Sequence, residues 1–131
     1  MLDVKKLLTK VLQMVSTKDL TFTRINNSYV NATDFGRING KRIGNVAVIN
    51  FNFCFTASVP NNTNFAFGKI NNVSLPNQYT VCIPCQSNNT HIMLVISNDG
   101  TMTAYNLCGT ATGANWFRAS IPIIISGGGT S

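Results

Sequence analysis

Alternation of apolar and polar side chains from Ala47 to Val59 is the feature that most constrains this fold. Every second residue of the run is apolar, and the residues between them are mostly Asn, Thr, Ser or Cys. A period of two belongs to a β-strand with one buried face, because a helix would scatter the phenylalanines around its circumference. The run therefore predicts a long, half-buried strand in an all-β protein. Its apolar set is Ala47, Ile49, Phe51, Phe53, Phe55, Ala57 and Val59.

Turn-forming residues divide the rest of the chain into short segments. Asparagine occupies 18 of the 131 positions and glutamate is absent, and asparagine favours turns over helices. The segment Asn98-Asp99-Gly100 joins two alternating strands as a hairpin turn. One domain with a small antiparallel β-barrel or sandwich, a jelly-roll-like head, is expected. The predicted strands are 20–25, 28–32, 43–58, 63–68, 78–84, 90–97, 101–107 and 116–125.

The N-terminus carries the one helical pattern, over residues 2–15. Its apolar stripe includes Val4, Leu7, Leu8, Val11 and Met14. A helix this short needs a partner, which is either the β body or copies of itself in an oligomeric stalk. The domain plan is an amphipathic helix over 1–16, a head over 17–126 and a flexible tail over 127–131.

Composition and charge limit the classes of partner that are expected for this chain. Of the ten basic residues, eight lie at or before Arg42, and the formal net charge is +6. The basic loop of Arg37, Lys41 and Arg42 lacks interleaved aromatic residues, so nucleic-acid binding is not predicted. No signal-peptide core and no membrane-length apolar run is visible, so neither secretion by a signal peptide nor membrane insertion is predicted.

The sequence offers little catalytic chemistry. His91 is the single histidine, and the carboxylates are Asp3, Asp19, Asp34 and Asp99. Neither a nucleophile elbow nor a phosphate-binding glycine loop is present, so the chain is not expected to be an enzyme or to hold a cofactor.

Four cysteines leave one alternative open. Cys82 and Cys85 form a C-x-x-C after a strand, with no helical pattern behind them to lower a thiol pKa. A structural zinc site would need both to converge with Cys54 and Cys108. Free thiols packed as small apolar residues are expected, and a metal- or thiol-dependent protein using Cys82 and Cys85 is the alternative.

A binding surface is the remaining signal. In the last strand Phe117, Ala119, Ile121 and Ile123 share one face, which leaves Trp116 and Arg118 facing outward. An exposed tryptophan beside arginine, amides and hydroxyls suits sugar rings, and His91 and Tyr105 on the neighbouring hairpin arms are candidates to join it. Alternatively, Trp116 caps the end of the barrel or lies at a subunit interface.

The order of turns and strands supports a resemblance. Leu75-Pro76-Asn77-Gln78-Tyr79 precedes a strand, and an apolar strand at 92–97 and the turn Asp99-Gly100-Thr101 follow. Gly113-Ala114-Asn115-Trp116-Phe117-Arg118 then leads into a closing apolar strand, and Asn26-Asn27-Ser28-Tyr29-Val30 opens the pattern. Over roughly residues 20–125, the chain resembles the head domain of tailed-bacteriophage (siphophage) receptor-binding and baseplate proteins.

This resemblance implies a function. Such heads are usually homotrimers that bind saccharides on the bacterial surface, together with other tail and baseplate proteins. By analogy Trp116, His91, Asp99 and Arg118 would contact the sugar, and the helix would hold the three heads together. The expected location is the virion, after synthesis in the bacterial cytoplasm. A purely structural virion module without a ligand is the alternative.

Overall fold

Two antiparallel sheets form the body of the protein. The computed structural model describes residues 3–8, 17–84, 90–112 and 116–126. Sheet A has the strand order β1-β3-β4-β9, and sheet B has the order β2-β5-β8-β7-β6. The strands are β1 (Lys18–Asp19), β2 (Phe22–Arg24), β3 (Asn39–Ile43), β4 (Val46–Cys54), β5 (Thr63–Ile70), β6 (Tyr79–Pro84), β7 (His91–Ile96), β8 (Thr101–Asn106) and β9 (Trp116–Ile124).

The two sheets pack as a sandwich, which confirms the all-β prediction. Within the described residues no strand ladder joins sheet A to sheet B, so the barrel alternative is not found. Two smaller links hold one pair of edges together. The Ile124 backbone N–H donates to the Tyr79 hydroxyl over 2.8 Å, and an isolated bridge pairs Ser74 with Ser126.

The alternating run from Ala47 forms the centre of the core. It lies in β4, which pairs with β9 along its whole length and sets Phe53 opposite Phe117. The Phe53 ring lies 5.2 Å from that of Phe117 and 6.0 Å from that of Phe67 on sheet B, centroid to centroid. Burying one such side chain contributes roughly 1.5–3 kcal/mol. The strand ends at Cys54, and Ala57 is exposed.

The segment predicted as a strand at 28–32 is a bend followed by a one-turn helix, α2 (Ala32–Phe35). The side chain of Asn31 caps this helix, because its Oδ1 accepts a 2.8 Å hydrogen bond from the Asp34 N–H. Phe35 is buried against Gly68, where any Cβ would clash with its ring. Four residues are too few to show a helical period, so the strand prediction was wrong there.

Asn39-Gly40 is a dipeptide typical of turns, and a turn is the prediction for it from sequence; the structure contradicts this, because both residues lie in β3. Gly40 pairs with Ile49 and is buried, and a Cβ at this position would lie 2.9 Å from Leu20 Cδ1. The glycine therefore serves close packing beneath Leu20 rather than a turn.

Residues 4–8 at the N-terminus are helical and form α1. The Asp3 carboxylate caps them, accepting hydrogen bonds from the N–H groups of Lys5 and Lys6 over 3.0 and 3.2 Å. The predicted contact residues Val4, Leu7 and Leu8 are exposed. Val11, Met14 and the predicted tail over 127–131 lie outside the described residues. No described helix has the length and apolarity needed to span a membrane.

Candidate functional site

The outward face of sheet A carries Trp116 and Arg118, as the alternation of β9 predicts. Phe117 between them is buried, while Arg118 is exposed and Trp116 is half-buried. The pairing of β9 with β4 sets Asn52 beside Arg118 and Cys54 beside Trp116. A second cationic residue, Arg37, reaches the same place from the loop after α2. We call Arg37, Arg118, Trp116 and Asn52 the arginine–tryptophan cluster.

Two guanidinium groups lie over the indole of this cluster. The Cζ atom of Arg118 is 5.2 Å from the centroid of the Trp116 ring, and that of Arg37 is 5.3 Å from it. Both distances are within the range of cation–π attraction. The Arg118 Nε–H also donates to Asn52 Oδ1 over 3.0 Å, and Arg37 Nη1 lies 3.4 Å from Asp34 Oδ1. The cluster therefore keeps a net positive charge, from two arginines and one aspartate.

A chain of amide and hydroxyl groups continues the cluster along sheet A. Ser120 Oγ–H donates to Asn50 Oδ1 over 2.7 Å, and Asn50 Nδ2–H donates to Asn39 Oδ1 over 3.0 Å. These residues lie one row beyond Asn52 and Arg118, and rows on the same face of a strand are about 7 Å apart. The row adds hydrogen-bonding groups beside a positively charged aromatic site.

The other half of this face is mostly apolar, although the exposed Lys41 pairs with Val48 there. Val46 pairs with Ile43 and with Ile124, and Val48 pairs with Pro122. The large members are 40–48% exposed, so the side chains form a contiguous surface open to solvent. We call Ile43, Val46, Val48, Pro122 and Ile124 the apolar patch. Contiguous apolar surface of this kind is typical of contacts with other proteins.

The remaining predicted site residues lie elsewhere. His91 and Tyr105 face outward on β7 and β8 of sheet B, and stacked sheets are separated by about 10 Å of core. The structure does not bring these two side chains to Trp116. Asp99 lies in the turn between β7 and β8, at the opposite end of β7 from His91.

Asp99 has a local role in this turn. Its Oδ1 accepts a 3.0 Å hydrogen bond from the Thr101 N–H, and this bond is the main reason why the pKa of Asp99 is lowered from its ordinary value of 3.8. The carboxylate stabilises the hairpin, where Gly100 takes a left-handed conformation with φ of 90°.

The described cysteines are free thiols and do not converge. Cys54 lies on sheet A, Cys82 is exposed on β6, and Cys108 donates its S–H to the His91 carbonyl over 2.7 Å. Cys85 lies outside the described residues. Among the residues that the structure describes, no group of three or more His, Cys, Asp or Glu is arranged to hold a metal ion.

A cleft of about 460 Å³ opens away from the cluster, beside β2 and β5. Thr21, Thr23, Asn71 and Lys69 are among the residues that line it. The described part of its lining has no aromatic side chain. Thr23 and Asn71 satisfy each other through a 2.8 Å hydrogen bond. Asn71 also donates to Thr21 Oγ1, so three of the polar residues of the cleft are hydrogen-bonded to each other. We place the candidate site at the arginine–tryptophan cluster.

The site includes residues that were not predicted from the sequence, namely Asn50, Asn52 and Arg37. The outward positions of Asn50 and Asn52 follow from the same alternation that buries the phenylalanines, so the signal was present in β4. The proximity of Asn52 to Arg118 depends on a pairing across 66 residues. Nothing local predicts that Arg37 reaches Trp116, because this contact depends on α2.

No protein-family model matches the chain, and a search of curated proteins gives no significant match.

Proposed function

We propose that this protein is a tail or baseplate protein of a phage or prophage, and that its head binds a glycan on the host surface. The binding site is the arginine–tryptophan cluster with the adjoining Asn50 and Ser120. One observation carries the proposal: an aromatic ring, two guanidinium groups and several amide and hydroxyl groups share one outward sheet face. The order of turns and strands that resembles siphophage head domains supplies the context.

The geometry supports this function because the site stands on rigid strands. The side chains of Arg118, Asn52 and Ser120 project from β4 and β9, the longest strands described, and a dense aromatic core lies beneath them. Sites held by regular strands keep their groups in place, so less conformational entropy is lost when a ligand binds.

A glycan array followed by titration tests this proposal. Trp116 is the single tryptophan of the chain, so its fluorescence reports directly on the site. We expect selected bacterial glycans to change that fluorescence and the Trp116→Ala variant to give a weaker signal on the array. Phage particles that carry the variant should adsorb poorly to host cells, and a Tyr105→Ala variant should behave like the wild type. An array without a bound glycan, together with normal adsorption of the Trp116→Ala phage, contradicts the proposal.

The second candidate is a structural virion module that contacts only other proteins. The apolar patch favours it, as do the exposed residues Val4, Leu7 and Leu8 of α1. Either surface is suited to hold a homotrimer, which also belongs to the leading proposal.

Mass measurement by light scattering separates the two surfaces. We expect a trimer for the wild type, and a monomer when the surface that forms the contact is made polar. The variants are Val46→Thr with Ile124→Thr for the patch, and Leu7→Ser with Leu8→Ser for α1. A monomeric wild type at micromolar concentration would count against both versions of the trimer.

A further inference from the structure

The indole of Trp116 is partly covered by the two arginines of its own chain. A sugar that stacks on tryptophan places its C–H groups against the ring face. Here the Cζ atoms of Arg37 and Arg118 lie 5.3 and 5.2 Å from the ring centroid, where such C–H groups would go. Stacking on the indole is therefore restricted, and the groups most open to a ligand are cationic.

The two guanidinium groups share the Trp116 ring as a neighbour. The sum of their distances to the ring centroid limits the separation of the two Cζ atoms to 10.5 Å. Two contacts position Arg118: its guanidinium lies over the Trp116 indole, and its Nε–H donates to Asn52. Both positive charges therefore act on the same small region of the surface, and an anion bound there is attracted by each of them.

Donors remain for such an anion. No other described residue is hydrogen-bonded to the terminal nitrogens of Arg118, and Asn52 uses only its Oδ1 toward Arg118. Arg37 is paired with Asp34 over 3.4 Å, but its own side chain is 45% exposed, so its guanidinium is only partly covered. A planar guanidinium binds a carboxylate or a phosphate through two parallel hydrogen bonds. Arg118 therefore offers a fork of donors, and Arg37 adds a second charge.

We propose that the arginine–tryptophan cluster selects a glycan that carries an anionic substituent, a carboxylate or a phosphate, over its neutral counterpart. The inference rests on the proposed glycan-binding function and names the ligand class of the same site. The anionic group binds to the terminal guanidinium nitrogens of Arg118, and Arg37, whose Cζ lies within 10.5 Å of that of Arg118, supplies a second positive charge. The sugar hydroxyls lie toward Asn50 and Ser120, about 7 Å along the strands.

Titration of Trp116 fluorescence with matched ligands tests this selection. The ligands are a glucuronic acid oligosaccharide, its methyl ester, a phosphorylated glucose oligosaccharide and the unmodified glucose oligosaccharide. We expect an anionic member to bind at least 10-fold more tightly than its neutral partner. Comparing the carboxylate and phosphate members identifies which anion the site prefers. The affinity should fall as sodium chloride is raised, because ions screen exposed charges.

Charge-removal variants locate the effect. Arg37→Gln with Arg118→Gln should abolish the preference for the anionic member, and Arg118→Lys should restore only part of it because lysine lacks the fork. Lys69→Gln removes one charge from the outer face of sheet B and should leave the preference unchanged. Circular dichroism and melting temperature verify that each variant is folded.

The possible outcomes separate the two proposals. Equal binding of neutral and anionic members, unchanged in the arginine variants, overturns the anionic selection but leaves glycan binding standing. No binding of any member by a folded wild type, together with an empty array, overturns the proposed function itself. Inorganic phosphate is the control for the anion by itself. If it changes the fluorescence as strongly as the phosphorylated oligosaccharide at equal concentration, the site binds the anion alone, and the selection of a glycan is overturned.

Discussion

The two outer faces of the sandwich differ in how their polar groups are arranged. On sheet A, cationic, amide and aromatic side chains gather at one end, and an apolar patch occupies the other. On sheet B, the outward residues of β8 are Thr101, Thr103 and Tyr105, and the outward Val95 of β7 is only 8% exposed. The outward residues of β8 on sheet B are uncharged, whereas sheet A gathers two arginines and a tryptophan at one end and, apart from Lys41, apolar side chains at the other. Both faces carry residue types that suit a sugar-binding site. The two faces differ because these side chains lie close together only on sheet A.

The largest expected effect concerns the core that both faces share. Phe53→Ala should lower the free energy of unfolding by about 3–5 kcal/mol, because it leaves a cavity between the sheets. Trp116 fluorescence follows sheet A during denaturation, and hydrogen exchange of β7 and β8 amides follows sheet B. We expect the two transitions to coincide, and Thr80→Ala on the exposed side of β6 to have little effect. Loss of sheet A while the sheet B amides stay protected would show that the faces are independently stable.

A second variant tests whether sheet B supports the site on sheet A. Gly68→Ala places a Cβ against the Phe35 ring, 2.8 Å from its Cζ, and overpacking of this kind costs about 1–3 kcal/mol. Displacing Phe35 should also move Arg37, two residues further on, away from Trp116. We expect a lower melting temperature and weaker binding of the anionic glycan.

A Phe35→Leu background provides the control for the Gly68→Ala variant. The smaller leucine should relieve the clash, so the penalty of Gly68→Ala should shrink in a double-mutant cycle. An additive cycle would mean that Phe35 does not transmit the effect.

Binding measurements compare the two faces directly. Trp116→Ala should weaken glycan binding about 10-fold, equivalent to roughly 1.4 kcal/mol, since both arginines lose the ring that orients them. His91→Ala and Tyr105→Ala, on sheet B, should leave the affinity unchanged. Isothermal titration is the suitable measurement, because the first variant lacks the fluorescent residue. A loss of affinity in the sheet B variants alone would move the site to the opposite face.

The smallest expected effect is at the β7–β8 turn. The folded state lowers the pKa of Asp99 below 3.8, so its carboxylate stabilises the protein above that pH. This stabilisation disappears as the pH falls through the lowered pKa, because the carboxylate is then protonated in both states. Asp99→Asn should lower the melting temperature slightly at pH 7 and by less at pH 2, without altering glycan binding. An equal decrease at both pH values would rule out the charge as the cause.

The sequence was a good guide where structure is local. Period-two patterns identified β4 through β9 to within a few residues, and correctly placed Phe51 and Phe53 of β4 and Phe117 of β9 on the buried side. The predictions failed where a short element depends on its surroundings. The Asn31 cap of α2 is a recognisable helix start, yet α2 itself is too short to show a helical period. Gly40 has the sequence context of a turn residue, and only the packing of Leu20 against it shows why glycine is needed in a strand.

By itself the sequence determined the all-β class, the buried side of each long strand and the outward position of Trp116 and Arg118. These follow from side-chain alternation, which needs no information about partners. Only the tertiary structure decided which outward residues meet. Strand pairing joined Asn52 to Arg118 across 66 residues, and packing of Phe35 on Gly68 brought α2, and with it Arg37, to the Trp116 ring. Such contacts depend on register and on the fit of distant side chains, which no local pattern records.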